Sequence, residues 1–292
     1  QIRAKHGSDV RDFYLVESFQ KNSLIKVGLS TEGHPAILIS CKDNQIKSME
    51  SINLSGIEAI FNLSCSINEE EEVKDGLFNV IIFKQEKIGL RNFFFDFFED
   101  LFISFDNLTS EQLSIKILNL ANLFSFASQK SDKTIRGLWA ELFVILESSE
   151  TSIWLEKWPE KTKTTFDFTY NHIGIDVKSF GGSYRKHYFK YEQLNNISVE
   201  QSLILSLCCK KDENGKSILD LLKAIKLEVD DNDLISMLET KVFKLAGENI
   251  ADTQRFNLNI AKDTLMILEG SSIPQIQEGS FPSTVTEVSF KS

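Results

Sequence analysis

Asp176-Val177-Lys178 is the stretch of this 292-residue chain whose residue types and spacing are best suited to chemistry. On a β-strand the side-chain period is two, so Asp176 and Lys178 share one face and Val177 points to the other. Nine residues earlier Asp167 stands between Phe166 and Phe168, a charge set among apolar neighbours. If the two stretches pair as a hairpin, two carboxylates and one ammonium converge. Buried carboxylates are costly and seek a cation. Lys178 can serve, and so can a hard divalent ion held by oxygen ligands, with water and a substrate phosphate in its remaining positions. Such an ion polarises a phosphoryl oxygen and lowers the pKa of a bound water, while the lysine orients that water or shares the phosphate charge. This is the equipment for hydrolysing a phosphodiester.

The elements that must position these residues are legible around them. Ile135, Leu138, Trp139, Leu142 and Leu146 recur with helical spacing, with Ser131 or Asp132 as the cap and an end near Ser148. At about 100° per residue, Glu141 lies to one side of the apolar stripe, near Ile145, where it can turn toward the sheet edge or stay solvated. After Trp158-Pro159, residues 164–170 and 173–180 read as two strands joined by a short turn at Asn171-His172. Gly181-Gly182 ends the second strand. Residues 184–197 read as irregular or helical, and Ser202 to Cys208 as a continuous apolar strand of the buried kind. The order is helix, strand, strand, helix, strand.

That order, with its residues, resembles the PD-(D/E)XK nuclease fold shared by many restriction enzymes. More closely, Gly137-Leu-Trp-Ala-Glu-Leu142, Phe166-Asp-Phe168, Ile175-Asp-Val-Lys-Ser179, Arg185-x-His187 and Gln193-Leu194 resemble an uncharacterised family of PD-(D/E)XK proteins associated with bacterial restriction-type defence gene clusters that contain methyltransferases and helicase-like ATPases. The resemblance implies an α/β (α+β) fold, a restriction endonuclease-like core with a mixed central sheet flanked by helices. It implies metal ligation by Asp167 and Asp176, a carbonyl ligand from Val177, a catalytic Lys178 and a supporting Glu141. Asp176 stands where the family often has Glu, and Phe166 where the motif has proline. The expected activity is Mg²⁺-dependent cleavage of double-stranded DNA, with Mn²⁺ as a substitute. A catalytically silent subunit that binds DNA or protein is the alternative, which the intact Asp167, Asp176 and Lys178 disfavour, because carboxylates facing phosphates repel DNA without a metal. Cutting both strands calls for two active sites, hence a homodimer or a larger complex, and the resemblance implies methyltransferase and helicase-like ATPase partners.

Net charge is −10, with 42% hydrophobic and 25% charged residues. An acidic total opposes a nucleic-acid partner, but residues 130–192 carry ten Lys/Arg against nine Asp/Glu, so the acidic excess lies elsewhere. Arg185, Lys186, His187 and Lys190 form the densest basic cluster, directly after Gly181-Gly182-Ser183, and are expected with Gln193 to contact DNA. Cys41, Cys65, Cys208 and Cys209 have neither C-x-x-C spacing nor nearby His, and read as reduced core thiols. No run reaches the roughly 18 to 20 apolar residues of a membrane span. The opening QIRAKHGSDVRDFYLVESF lacks the apolar stretch of a secretory signal, so a cytoplasmic protein is expected.

Two domains are expected, a β-rich one over 1–129 ending in linking helices, and a nuclease-like one over 130–292 with a helical and β-rich C-terminal extension. In the first, residues 24–29 and 36–41 form a hairpin about Glu32-Gly33-His34-Pro35, further strands lie at 57–65 and 77–83, and the acidic run 69–72 is a solvated tip. Phe93 to Phe102 and Leu113 to Phe126 have helical apolar spacing and read as core. In the extension, helices are expected at 217–227 and 233–245. Asp230-Asp231-Asn232-Asp233 begins like a calcium loop but lacks its later Gly and Glu, and reads as a helix cap.

Overall fold

The computed structural model describes residues 2–6, 9–18, 25–41, 51–54, 56–69, 72–84, 90–91, 94–95, 110–126, 134–159, 164–195, 197–251 and 254–274. The chain forms two compact units, residues 1–130 and 131–292.

The first unit is built on strands β1 (Ile2–His6), β2 (Asp9–Ser18), β3 (Ile25–Ser30), β4 (Pro35–Ser40), β5 (Ile52–Leu54), β6 (Ile57–Glu69) and β7 (Glu72–Phe83), followed by helix α1 (Ser110–Phe126). All neighbours are antiparallel, in the order β1-β2-β3-β4-β7-β6-β5. β1 also pairs with the far half of β6, so the sheet closes on itself and β1 loses its open edge, while the short β5 lies beside the other half of β6. Inside lie Ala36, Leu38, Ile60, Leu63, Cys65, Phe78, Val80 and Ile82. The expected 24–41 hairpin is β3–β4, with Gly33 at φ +81 in its turn, and the acidic run falls at the β6–β7 reversal, where Glu69 pairs with Glu72. Phe94 is fully buried and stacks on Phe83 at 4.6 Å, a core role as read from its spacing. Phe93, Phe97, Phe98 and Phe102 lie outside the described residues.

The second unit runs α2 (Ile135–Leu146), α3 (Thr151–Lys157), β8 (Phe168–Tyr170), β9 (Ile173–Phe180), α4 (Tyr191–Leu194), β10 (Gln201–Cys208), β11 (Lys211–Lys216), α5 (Ile218–Leu227), α6 (Asn232–Ala246), α7 (Leu258–Thr264) and β12 (Met266–Glu269). Its mixed sheet has the order β12-β10-β9-β8, with β9 and β10 parallel and the outer pairs antiparallel. α2 packs on β9 and α7 on β10. The element order expected around the site is present.

Some expected details are corrected and others hold. The α2 cap is Thr134, whose hydroxyl accepts from the Gly137 N–H at 3.2 Å, while Ser131 and Asp132 lie outside the described residues. Asp231 caps α6 by accepting from the N–H groups of Asp233 and Leu234, so the calcium-like stretch is indeed a helix start. Between residues 247 and 274 the described chain contains two short 3-10 helices, helix α7 and strand β12, and residues 275–292 of the expected β-rich tail lie outside the described residues. Burial pushes the thiols of Cys41, Cys65 and Cys209 up to about 11, 12 and 12, as expected for reduced core cysteines.

Candidate active site

The β8–β9 hairpin turns on Asn171 and His172, both with positive φ, at 45° and 61°. Two consecutive left-handed residues are the signature of the tight turn that matches strand twist. This turn sets the register, pairing Phe168 with Ile175 and Tyr170 with Ile173. Continued by two residues, the ladder would bring the main chain of Phe166 opposite Val177. Instead β8 begins at Phe168, and Oδ2 of Asp167 accepts the Val177 N–H at 2.8 Å. A side-chain carboxylate thus takes the place of a ladder carbonyl, which is why the strand expected from residue 164 is shorter. From Val177 onward this edge of β9 has no strand partner among the described residues. In an extended strand the N–H and C=O of one residue point to the same side. The Val177 carbonyl therefore faces the edge occupied by Asp167.

One face of β9 carries Gly174, Asp176 and Lys178. Gly174 is required by packing, since a Cβ there would sit 2.5 Å from the Phe166 ring. Phe166 thereby anchors the segment that delivers Asp167. Asp176 is buried, 4% exposed, and its Oδ2 pairs with Lys178 Nζ at 2.7 Å. The Lys178 ammonium also lies 5.6 Å from the centroid of Phe189.

Gln193 on α4 covers this face. Its Nε2 donates to Asp176 Oδ1 at 2.9 Å and to the Thr165 carbonyl at 3.5 Å. Its Oε1 accepts from Lys178 Nζ at 3.3 Å and from the Lys190 N–H at 3.0 Å. Read from sequence as a contact to DNA, Gln193 is placed by the fold beside Asp176 and Lys178, where one amide joins both of them and the segment leading to Asp167. The only sequence signal was its place in the family pattern.

Glu141 is not solvated: it is 3% exposed, and its Oε2 accepts from the Trp158 indole N–H at 2.9 Å. The buried Lys241 ammonium sits 3.5 Å from the centroid of the same indole. Among the described residues no three Asp, Glu, His or Cys side chains form a group placed to hold one metal ion. The helix turns Glu141 toward Trp158.

The basic cluster divides. Arg185 Nη1 donates to the Ser206 carbonyl at 2.8 Å and contacts the Ser206 hydroxyl, and Nη2 donates to the Thr264 carbonyl at 2.7 Å. Burial lowers its pKa from the usual arginine value. His187 Nε2 lies 2.6 Å from Ser206 Oγ, and burial, with Arg185 and Lys178 nearby, pushes its pKa down to about 4. Arg185 and His187 are thus turned inward onto β10 and α7, because the fully buried Ser206 and the end of α7 offer acceptors there. Lys186 and Lys190 are exposed.

The donor set fits a hard divalent cation, since two carboxylates and a main-chain carbonyl supply only oxygen, and the buried Asp176 calls for a positive charge, a place Lys178 takes in this structure. Among the described residues no helix is long and apolar enough to cross a membrane. No curated protein and no solved structure matches the chain. A family model matches residues 4–292, and the chain accordingly belongs to the family described as "Putative PD-(D/E)XK family member" (DUF4420).

Proposed function

We propose that the chain is a Mg²⁺-dependent DNA endonuclease, with Mn²⁺ able to substitute, that hydrolyses phosphodiester bonds of double-stranded DNA. The observation that carries this reading is the pair of the buried Asp176 with the half-buried Lys178, 2.7 Å apart on one face of a strand whose open edge holds Asp167. Asp167, Asp176 and the Val177 carbonyl would hold the ion, which when bound supplies Lewis acidity at a phosphoryl oxygen and a bound water of lowered pKa. Lys178 cannot ligate, since an ammonium only donates. Its role is to release Asp176 to the metal and place its charge on the scissile phosphate or the attacking water. Gln193 follows both groups and holds them in register.

The family resemblance supports a place as the cleavage component of a bacterial restriction-type defence system in the cytoplasm. Methyltransferase and helicase-like ATPase partners, and a homodimer supplying a cut in each strand, belong to the same proposal. A plasmid-nicking assay tests the activity, run with Mg²⁺, Mn²⁺ or EDTA and with candidate partner subunits present. Cleavage that needs the metal and is lost in Lys178→Ala supports the reading. Tight DNA binding without cleavage under any metal would instead identify a silent binding subunit.

A further inference from the structure

Residues 184–190 alternate in exposure: Tyr184, Lys186, Tyr188 and Lys190 are exposed, and Arg185, His187 and Phe189 are partly buried. That is the period of an extended chain with two faces. The inner face is pinned, Arg185 to Ser206 and Thr264, His187 to Ser206, and Phe189 beneath the Lys178 ammonium. The outer face is two aromatic rings and two ammonium groups in alternation. Its rings are bare to an unusual degree, with Tyr184 85% and Tyr188 55% exposed, and Lys186 Nζ stands 5.0 Å from the centroid of Tyr188. The heptapeptide contains no acidic residue, in a chain whose net charge is −10.

We infer that Tyr184, Lys186, Tyr188 and Lys190 form a platform for a single-stranded segment of DNA beside the candidate active site, the tyrosines stacking on unpaired bases and the lysines meeting the phosphates between them. Aromatic rings interleaved with cations are how proteins hold unpaired strands, since every base has a π-face and every link a negative charge. Paired bases in a duplex present no free π-face, so the exposed rings select for a strand that is open. The inner-face bonds keep the backbone in place before the ligand arrives, which lowers the ordering cost of binding. Phe189 connects the platform to Lys178, so a strand lying on it passes the groups proposed to cut. The inference rests on the nuclease reading for the use of the platform, and its binding test does not.

The test uses the full chain in EDTA, where no metal-dependent cleavage occurs, and follows the anisotropy of a labelled oligo-dT and of a blunt duplex of equal length across a salt series. Tyr184→Ala/Tyr188→Ala is expected to weaken oligo-dT binding by about ten-fold or more while duplex binding changes less than about two-fold. Tyr184→Phe/Tyr188→Phe, which keeps the rings, is expected to bind oligo-dT as the unaltered chain does. Lys186→Ala/Lys190→Ala is expected to reduce the salt slope for oligo-dT by about 1.4, the share of two phosphates on a single strand. Equal oligo-dT affinity in the Tyr→Ala and unaltered chains overturns the inference, as does an equal loss on oligo-dT and duplex, or tyrosines that alter only self-association. Ring-dependent oligo-dT binding in a chain that never cuts DNA with any metal would sustain the platform and sink the nuclease reading. Cleavage lost in Lys178→Ala, with oligo-dT binding indifferent to the rings, would do the reverse.

Discussion

The side-chain amide of Gln193 donates to Oδ1 of Asp176 at 2.9 Å, and its carbonyl end faces Lys178 Nζ at 3.3 Å. An amide has a donor end and an acceptor end, so one residue satisfies a carboxylate and an ammonium together. Their own ion pair, 2.7 Å long, is thereby held from a second side.

Gln193→Ala should lower metal-dependent cleavage by about 10- to 100-fold, the range for removing a partner that orients a metal-site residue. Gln193→Glu should shift the pH–rate profile as well, because it puts a titratable carboxyl where a neutral amide joins Asp176 and Lys178. A profile that keeps its shape in Gln193→Glu would reduce Gln193 to a packing residue.

Lys178→Ala should cut the cleavage rate by about 10²- to 10⁴-fold, the usual worth of a positioned proton-transfer or charge-sharing group, with metal binding largely retained. Asp176→Asn and Asp167→Asn should damage both. Calorimetric Mg²⁺ or Mn²⁺ titration beside the nicking assay separates the two defects. Equal cleavage by Lys178→Ala and the unaltered assembly would leave Lys178 as a structural ion-pair residue.

Arg185 and Lys186 are neighbours with opposite roles. Arg185→Ala strips the Ser206 and Thr264 carbonyls of a charged donor and should destabilise the fold by about 2 kcal/mol. Lys186→Ala, on an exposed position, should stay within about 0.5 kcal/mol. Urea unfolding of both variants checks the contrast, and an Arg185→Ala midpoint matching Lys186→Ala would refute it.

His187 makes stability depend on pH. Its folded pKa of about 4 lies below the ordinary 6.5, so in that window the unfolded chain binds a proton that the folded chain refuses. The sign is therefore a loss of stability as pH falls from 6.5 toward 4. His187→Gln should flatten that part of the profile, as thermal melts between pH 7 and pH 4.5 can measure.

Gly174→Ala should perturb both fold and site. The new methyl meets the Phe166 ring, and displacing Phe166 drags the residue after it, Asp167, away from the Val177 N–H. The overpacking should cost about 1 to 3 kcal/mol, with reduced metal affinity in whatever folds. Metal affinity unchanged in Gly174→Ala would mean that Asp167 is not positioned through Phe166.

What the sequence by itself determined lies within short spans of chain. The period of two put Asp176 and Lys178 on one face, the apolar run of residues 202–208 marked a buried strand, and two residues between alternating segments marked the hairpin at Asn171-His172. Each follows from backbone geometry acting over a few residues, so each is written locally. Tertiary structure alone decided the rest. Asp167 reaches a main-chain N–H ten residues on, Gln193 joins groups 15 and 17 residues away, and Arg185 spans 21 residues to Ser206 and 79 to Thr264. Closure of the first unit by β1 on β6, and the bond from the Trp158 indole to Glu141, are of the same kind. Polar side chains go where burial leaves an unsatisfied partner, and which partner that is emerges only when distant segments pack.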